Sequence, residues 1–109
     1  VKYTDKMDKE CMALCNAINT VKGIRTVESC CGHEEHPYHI WFRTKGLRYL
    51  PRLLYWFDGC HCGFCEWRIF VTTDCGMSPV VFCVEGPTGP QAYYESKEIA
   101  ELILRETSK

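Results

Sequence analysis

Nine cysteines in a chain of 109 residues constrain the fold more than any other feature. Two frames can absorb that many thiols. One is a secreted scaffold stapled by disulfides, and the other is a reduced domain with an ordinary core and a thiol or metal site. The count is odd, and several cysteines fall inside good helix or strand patterns, which favours the reduced frame and a cytoplasmic setting. Five of the nine cysteines and all four histidines gather in two knots. The first is Ser29-Cys30-Cys31-Gly32-His33, followed by His36 and His39. The second is Cys60-His61-Cys62-Gly63-Phe64-Cys65. The remainder reads as scaffold.

That scaffold has a legible order. Over residues 5–21, Met7, Cys11, Leu14, Cys15, Ile18 and Val21 recur at the spacing of one buried helix face. Thr4 or Asp5 can cap its first turn, and Cys11 and Cys15 read as small apolar core residues. Residues 24–30 and 38–43 read as strands flanking the first knot, close enough in sequence to pair antiparallel. Gly46 to Phe57 reads as a helix or helical pair, with Pro51 either kinking it or opening its main turn. Residues 64–73 form a strand with Cys65, Trp67, Ile69, Val71 and Thr73 on one face. Asp74 to Pro79 turns the chain, and Val80 to Glu85 is a fourth strand with Cys83 packed apolar. A rigid loop over 86–90 then leads to a last helix, opened by Pro90 and running to about Glu106.

The order α-β-β-α-β-β-α predicts one α+β domain over residues 1–109: a two-layer sandwich with helices on one face of a four-stranded mixed sheet. If strand two, helix two and strand three form a crossover, strand three runs parallel to strand two and starts at the same edge. The second knot then arrives beside the first.

Thiolate and imidazole donors two or three positions apart suit a tetrahedral ion, and their softness puts zinc ahead of other metals. Cys30-x-x-His33 and Cys62-x-x-Cys65 have that spacing. The predicted ligand set is Cys30, His33, Cys60 and Cys62, with Cys31, His61 and Cys65 as substitutes. The competing reading is thiol chemistry, in which Cys31 or Cys30 is activated by His33 or His61. On that reading the catalytic candidates are Cys31, His33 and His61. Whether the chain is an enzyme is left open at this point. Glu34 and Glu35 read as solvated, His36 as an exposed loop residue and His39 as a sheet residue.

A net charge of −1 provides no global field toward nucleic acid or an anionic membrane. Arg43, Arg48 and Arg52, interleaved with Tyr49, Tyr55 and Trp56, nevertheless invite an RNA reading, against which a helical aromatic stripe is more often core. No apolar run is long enough to span a bilayer, and no signal-peptide pattern stands at the start. The chain opens at Val1 and not at Met, which suggests trimmed upstream residues.

The runs Ser29-Cys30-Cys31-Gly32-His33 to Ile40-Trp41-Phe42, Asp58-Gly59-Cys60-His61-Cys62-Gly63-Phe64 and Thr73-Asp74-Cys75 resemble a group of small bacterial and phage proteins of uncharacterised function. That resemblance covers most of the chain and implies no activity. Ser29-Cys30-Cys31-Gly32 is also similar to the strand-to-loop Ser-Cys-x-Gly motif of the wybutosine-synthesis family of transfer-RNA methyltransferases. His33 replaces the basic residue usual after that glycine, and this chain is much shorter. The likeness implies a shared fold without shared chemistry, and S-adenosylmethionine is not carried over as a cofactor.

Overall fold

The structure is a computed structural model that describes residues 8–57, 63–64, 66–74 and 77–108, with backbone alone for 73–74 and 77–80. A single turn over Lys9–Cys11 leads into α1 (Met12–Ile18). β1 (Ile24–Cys30) and β2 (Pro37–Thr44) follow, then a turn over Leu47–Tyr49 and α2 (Leu50–Trp56). β3 (Arg68–Asp74), β4 (Met77–Thr88) and α3 (Pro90–Thr107) complete the chain.

The α+β class holds, with the sheet in the order β1-β2-β4-β3. Every pairing is antiparallel, which corrects the expected mixed sheet. The reason is that β4 lies between β2 and β3. β3 does run in the direction of β2, as a crossover demands, but the two never pair. Across the sheet, Arg68 at the start of β3 lies opposite Glu85, Glu85 opposite His39, and His39 opposite Cys30. All four strands thus bring one end to the first Cys/His knot.

Alternation along the strands decides which face the helices cover. Ile40 and Val84 are opposite one another, as are Phe42 and Phe82, and these residues share one core with α1 and α3. On α3 the buried positions Ala92, Glu95, Ser96, Ile99, Ala100 and Ile103 form a single stripe. Its small members let α1 pack close, where Leu14, Cys15, Ala17 and Ile18 are fully buried. Cys11 and Cys15 are core residues, as their apolar spacing predicts. Each large side chain buried here, such as Leu14 or Ile103, contributes about 1.5–3 kcal/mol. Pro51 stands in the first turn of α2, where its missing N–H is no loss. On the opposite sheet face Cys83 is also buried, between Trp41 and Phe70 in the register.

Two buried polar groups pin the layers together. The Tyr38 hydroxyl donates to the Glu10 carbonyl at 3.1 Å, tying the start of β2 to the turn before α1. Trp67 Nε1 donates to Glu95 Oε1 at 2.8 Å, and Gln91 Nε2 donates to the other carboxylate oxygen at 2.8 Å. Glu95 is only 7% exposed, so these bonds are what makes its burial tolerable.

Candidate metal centre

The loop between β1 and β2 takes its shape from three successive residues with positive φ: Gly32 (82°), His33 (51°) and Glu34 (66°). Glycine tolerates that region, whereas the two that follow each carry strain of about 1–3 kcal/mol. The turn is locked by bonds from both Glu35 N and His36 N to the Gly32 carbonyl, each 3.0 Å. His33 N donates to Cys31 Sγ at 3.4 Å. This tight curl folds the His33 ring back over Cys31, with Nδ1 3.7 Å from the sulfur.

A third group comes from a distant part of the sequence. Cys31 N donates to Asp8 Oδ2 at 2.8 Å, and the same oxygen lies 3.8 Å from His33 Nε2. Asp8 precedes the Lys9–Cys11 turn, and Cys11 N donates to its carbonyl. That turn is the one held by Tyr38. Asp8, Cys31 and His33 therefore offer carboxylate, thiol and imidazole atoms all within 4.8 Å of one another. Ligands on a tetrahedral zinc stand about 3.3–3.8 Å apart, so small adjustments would bring these atoms onto one ion.

The electrostatics separate the three. The Cys31 N–H bond holds the Asp8 carboxyl below its ordinary range, with His33 adding to the effect. Burial pushes the Cys31 thiol up, only partly offset by the His33 N–H bond and the Tyr93 hydroxyl. Without a metal the site therefore holds a carboxylate beside a protonated thiol. Cys31 is 4% exposed, whereas the His33 side chain is 69% exposed, so the cluster is rooted in the core and opens at the surface. Tyr93, in the first turns of α3, brings that helix N-terminus to the same edge. A shallow hollow of about 370 Å³ beside it is lined by Lys9, Glu10, Tyr93 and Lys97.

The expected site residues are distributed as follows. His33 joins the cluster. Its thiol partner is Cys31, the substitute ligand and catalytic candidate. Cys30 stands next to it but outside the cluster, its sulfur accepting from Gly32 N at 3.3 Å, on a strand position opposite His39. Cys60, His61, Cys62 and Cys65 lie outside the described residues. His36, Glu34 and Glu35 are exposed, and His39 is half-buried on β2. Asp8 is the member that the spacing did not reveal. It stands at the start of the Lys9–Cys11 turn, yet makes no side-chain capping bond and turns its carboxylate to Cys31 instead. The chain matches no protein-family model, no curated protein and no solved structure, so this geometry and the sequence carry the functional reading.

Proposed function

We propose that the protein is a small zinc-binding domain whose ion is held by Asp8, Cys31 and His33, in a structural or regulatory role. The observation that carries this reading is the convergence of three different donor types on one point, from segments 23 residues apart. The strained turn supports it, because backbone strain of this kind persists where a site depends on it. The fourth position falls to a thiolate of the second knot, Cys60 or Cys62. In favour of that choice, β3 begins at Arg68 in line with Glu85, His39 and Cys30.

The Cys31–His33–Asp8 series also has the order of nucleophile, base and orienting group. Its electrostatics favour the metal reading. An activated cysteine needs a thiolate favoured by its surroundings, and burial here favours the thiol. A bound cation reverses that preference outright, since a coordinating thiol loses its proton.

Cobalt substitution tests the ligand set. Protein loaded with cobalt should show thiolate-to-cobalt absorption that drops sharply in Cys31→Ser, where one of two thiolates is gone, and persists in full in Cys30→Ser. Asp8→Asn and His33→Gln should each weaken binding by more than the roughly 10–100-fold that losing a supporting partner costs. Retention of the full absorption in Cys31→Ser would move the site elsewhere.

A further inference from the structure

An open sheet has two edges, and the two here differ. β1 forms one edge and β3 the other. An edge strand presents a row of backbone groups that can pair with another chain, so natural sheets blunt their edges with bulges, charges or proline. β1 is blunted in this way. A bulge at Val27 interrupts its pairing with β2, and Arg25 and Glu28 on either side of the bulge are exposed.

β3 carries none of these devices. Its sequence, Arg-Ile-Phe-Val-Thr-Thr-Asp, contains no lysine, proline or glycine, and its charges stand only at the two ends. From Arg68 to Thr72 it pairs with β4 residue for residue. Where the register shifts beyond Thr72, the extra residues belong to β4, which sets 78–80 against Thr73 alone. The middle of the strand is apolar and open: Val71 is 61% exposed, and Ile69 and Phe70 are half-buried. Among the described residues no backbone hydrogen bond from another segment reaches the outer edge of β3.

The charges at its ends select the partner. Laid antiparallel to a copy of itself about Val71, the strand sets Arg68 opposite Asp74 at both ends. Ile69 then faces Thr73, Phe70 faces Thr72, and Val71 faces its own copy. Opposite charges, and aromatic or β-branched residues, are the favourable combinations across paired strands. A parallel arrangement would set Arg68 on Arg68 and Asp74 on Asp74, and a one-residue slip would lose both charge pairs. Arg68 already holds Glu85 through Nε and Nη2, at 3.0 and 2.8 Å, and its guanidinium lies 4.9 Å over the Phe70 ring. Those contacts fix its position on the strand and leave Nη1 for a second carboxylate.

We infer that β3 is a dimerisation edge, at which two copies of the chain pair their β3 strands antiparallel about Val71. The two four-stranded sheets become one of eight strands. Both outer edges of that sheet are β1, whose bulge and charges oppose further addition, so the assembly closes at two.

Sedimentation of the untagged whole chain across micromolar concentrations tests the inference, with reductant present so that disulfide-linked species are not counted. A reversible monomer–dimer equilibrium is expected. Val71→Lys sets two like charges against each other on the two-fold axis and should weaken the dimer by about tenfold or more. Zinc content should not change, because Val71 lies outside the metal cluster. Asp74→Lys and Arg68→Glu each set like charges together at both ends, so each variant alone should be monomeric. Mixed, the two should form a dimer, since the mixed pair again has opposite charges at both ends. A substitution that merely damaged the fold would not give that rescue. A wild-type chain that stays monomeric, growth beyond dimers, a dimer indifferent to Val71→Lys, or a mixture that remains monomeric would each overturn the inference.

Discussion

Cys31 sits under two demands that oppose each other. Its burial within the core favours the neutral thiol, while its position against Asp8 and His33 suits a thiolate on a cation. The deeper thiols face only the first demand. Burial pushes Cys11 up to about 12 and Cys15 and Cys83 up to about 11, from an ordinary value near 9. In the unfolded chain these thiols ionise near pH 9, whereas the native state keeps their protons to higher pH. The unfolded state therefore holds fewer protons in that window, and stability falls as pH rises through it. Urea midpoints measured from pH 8 to 11 should be flat at first and then decline above about 9. Replacing Cys15 with Ala should reduce that decline, and an unchanged slope would contradict the assignment. At this scale the apolar spacing revealed Cys11, Cys15 and Cys83 correctly. Asp8 was hidden because its bond partner is 23 residues away, and no local period encodes such a contact.

Among the elements, the turn after β1 and the strand leading into α3 are the most exacting. A Cβ on Gly32 would stand 3.2 Å from the Pro37 backbone at a φ of 82°, so Gly32→Ala is both crowded and strained. It should cost about 1–3 kcal/mol and weaken zinc binding together, because the same turn carries Cys31 and His33. A Cβ on Gly86 would fall 2.7 Å from Trp67 Cη2. Trp67 cannot easily yield, since its ring is buried and its N–H is fixed on Glu95. Gly86→Ala should therefore cost about 1–3 kcal/mol in denaturant unfolding. Zinc affinity of the folded protein should be unchanged, which distinguishes a packing fault from a fault in the site. The strands beside the first knot were legible because β-branched and aromatic residues fill them. β4 was read as Val80 to Glu85 but runs through Gly86, Pro87 and Thr88, since pairing with Pro37 overrides the local turn signal. Val71 was expected inward and is 61% exposed, because β3 is an edge strand that the helices only partly cover.

Across the whole molecule, the antiparallel sheet brings one end of every strand to the candidate metal centre. That end gathers Asp8, Cys31, His33 and the start of α3. Strand direction was recoverable from the helix between β2 and β3, since β3 does run parallel to β2. Strand order was not, because nothing local tells β4 to insert between its two neighbours. Among the described residues no helix is long and apolar enough to cross a membrane. The central claim is that one ion joins the N-terminal turn to the β1–β2 loop. Zinc content of untagged protein purified without chelator, read alongside a free-thiol titration, tests it most directly. The account predicts about one zinc per chain, lost in Cys31→Ser and retained in Cys30→Ser, with Cys31 becoming reactive only when the metal is removed. No bound metal, with Cys31 reacting freely in the folded wild-type chain, would contradict it.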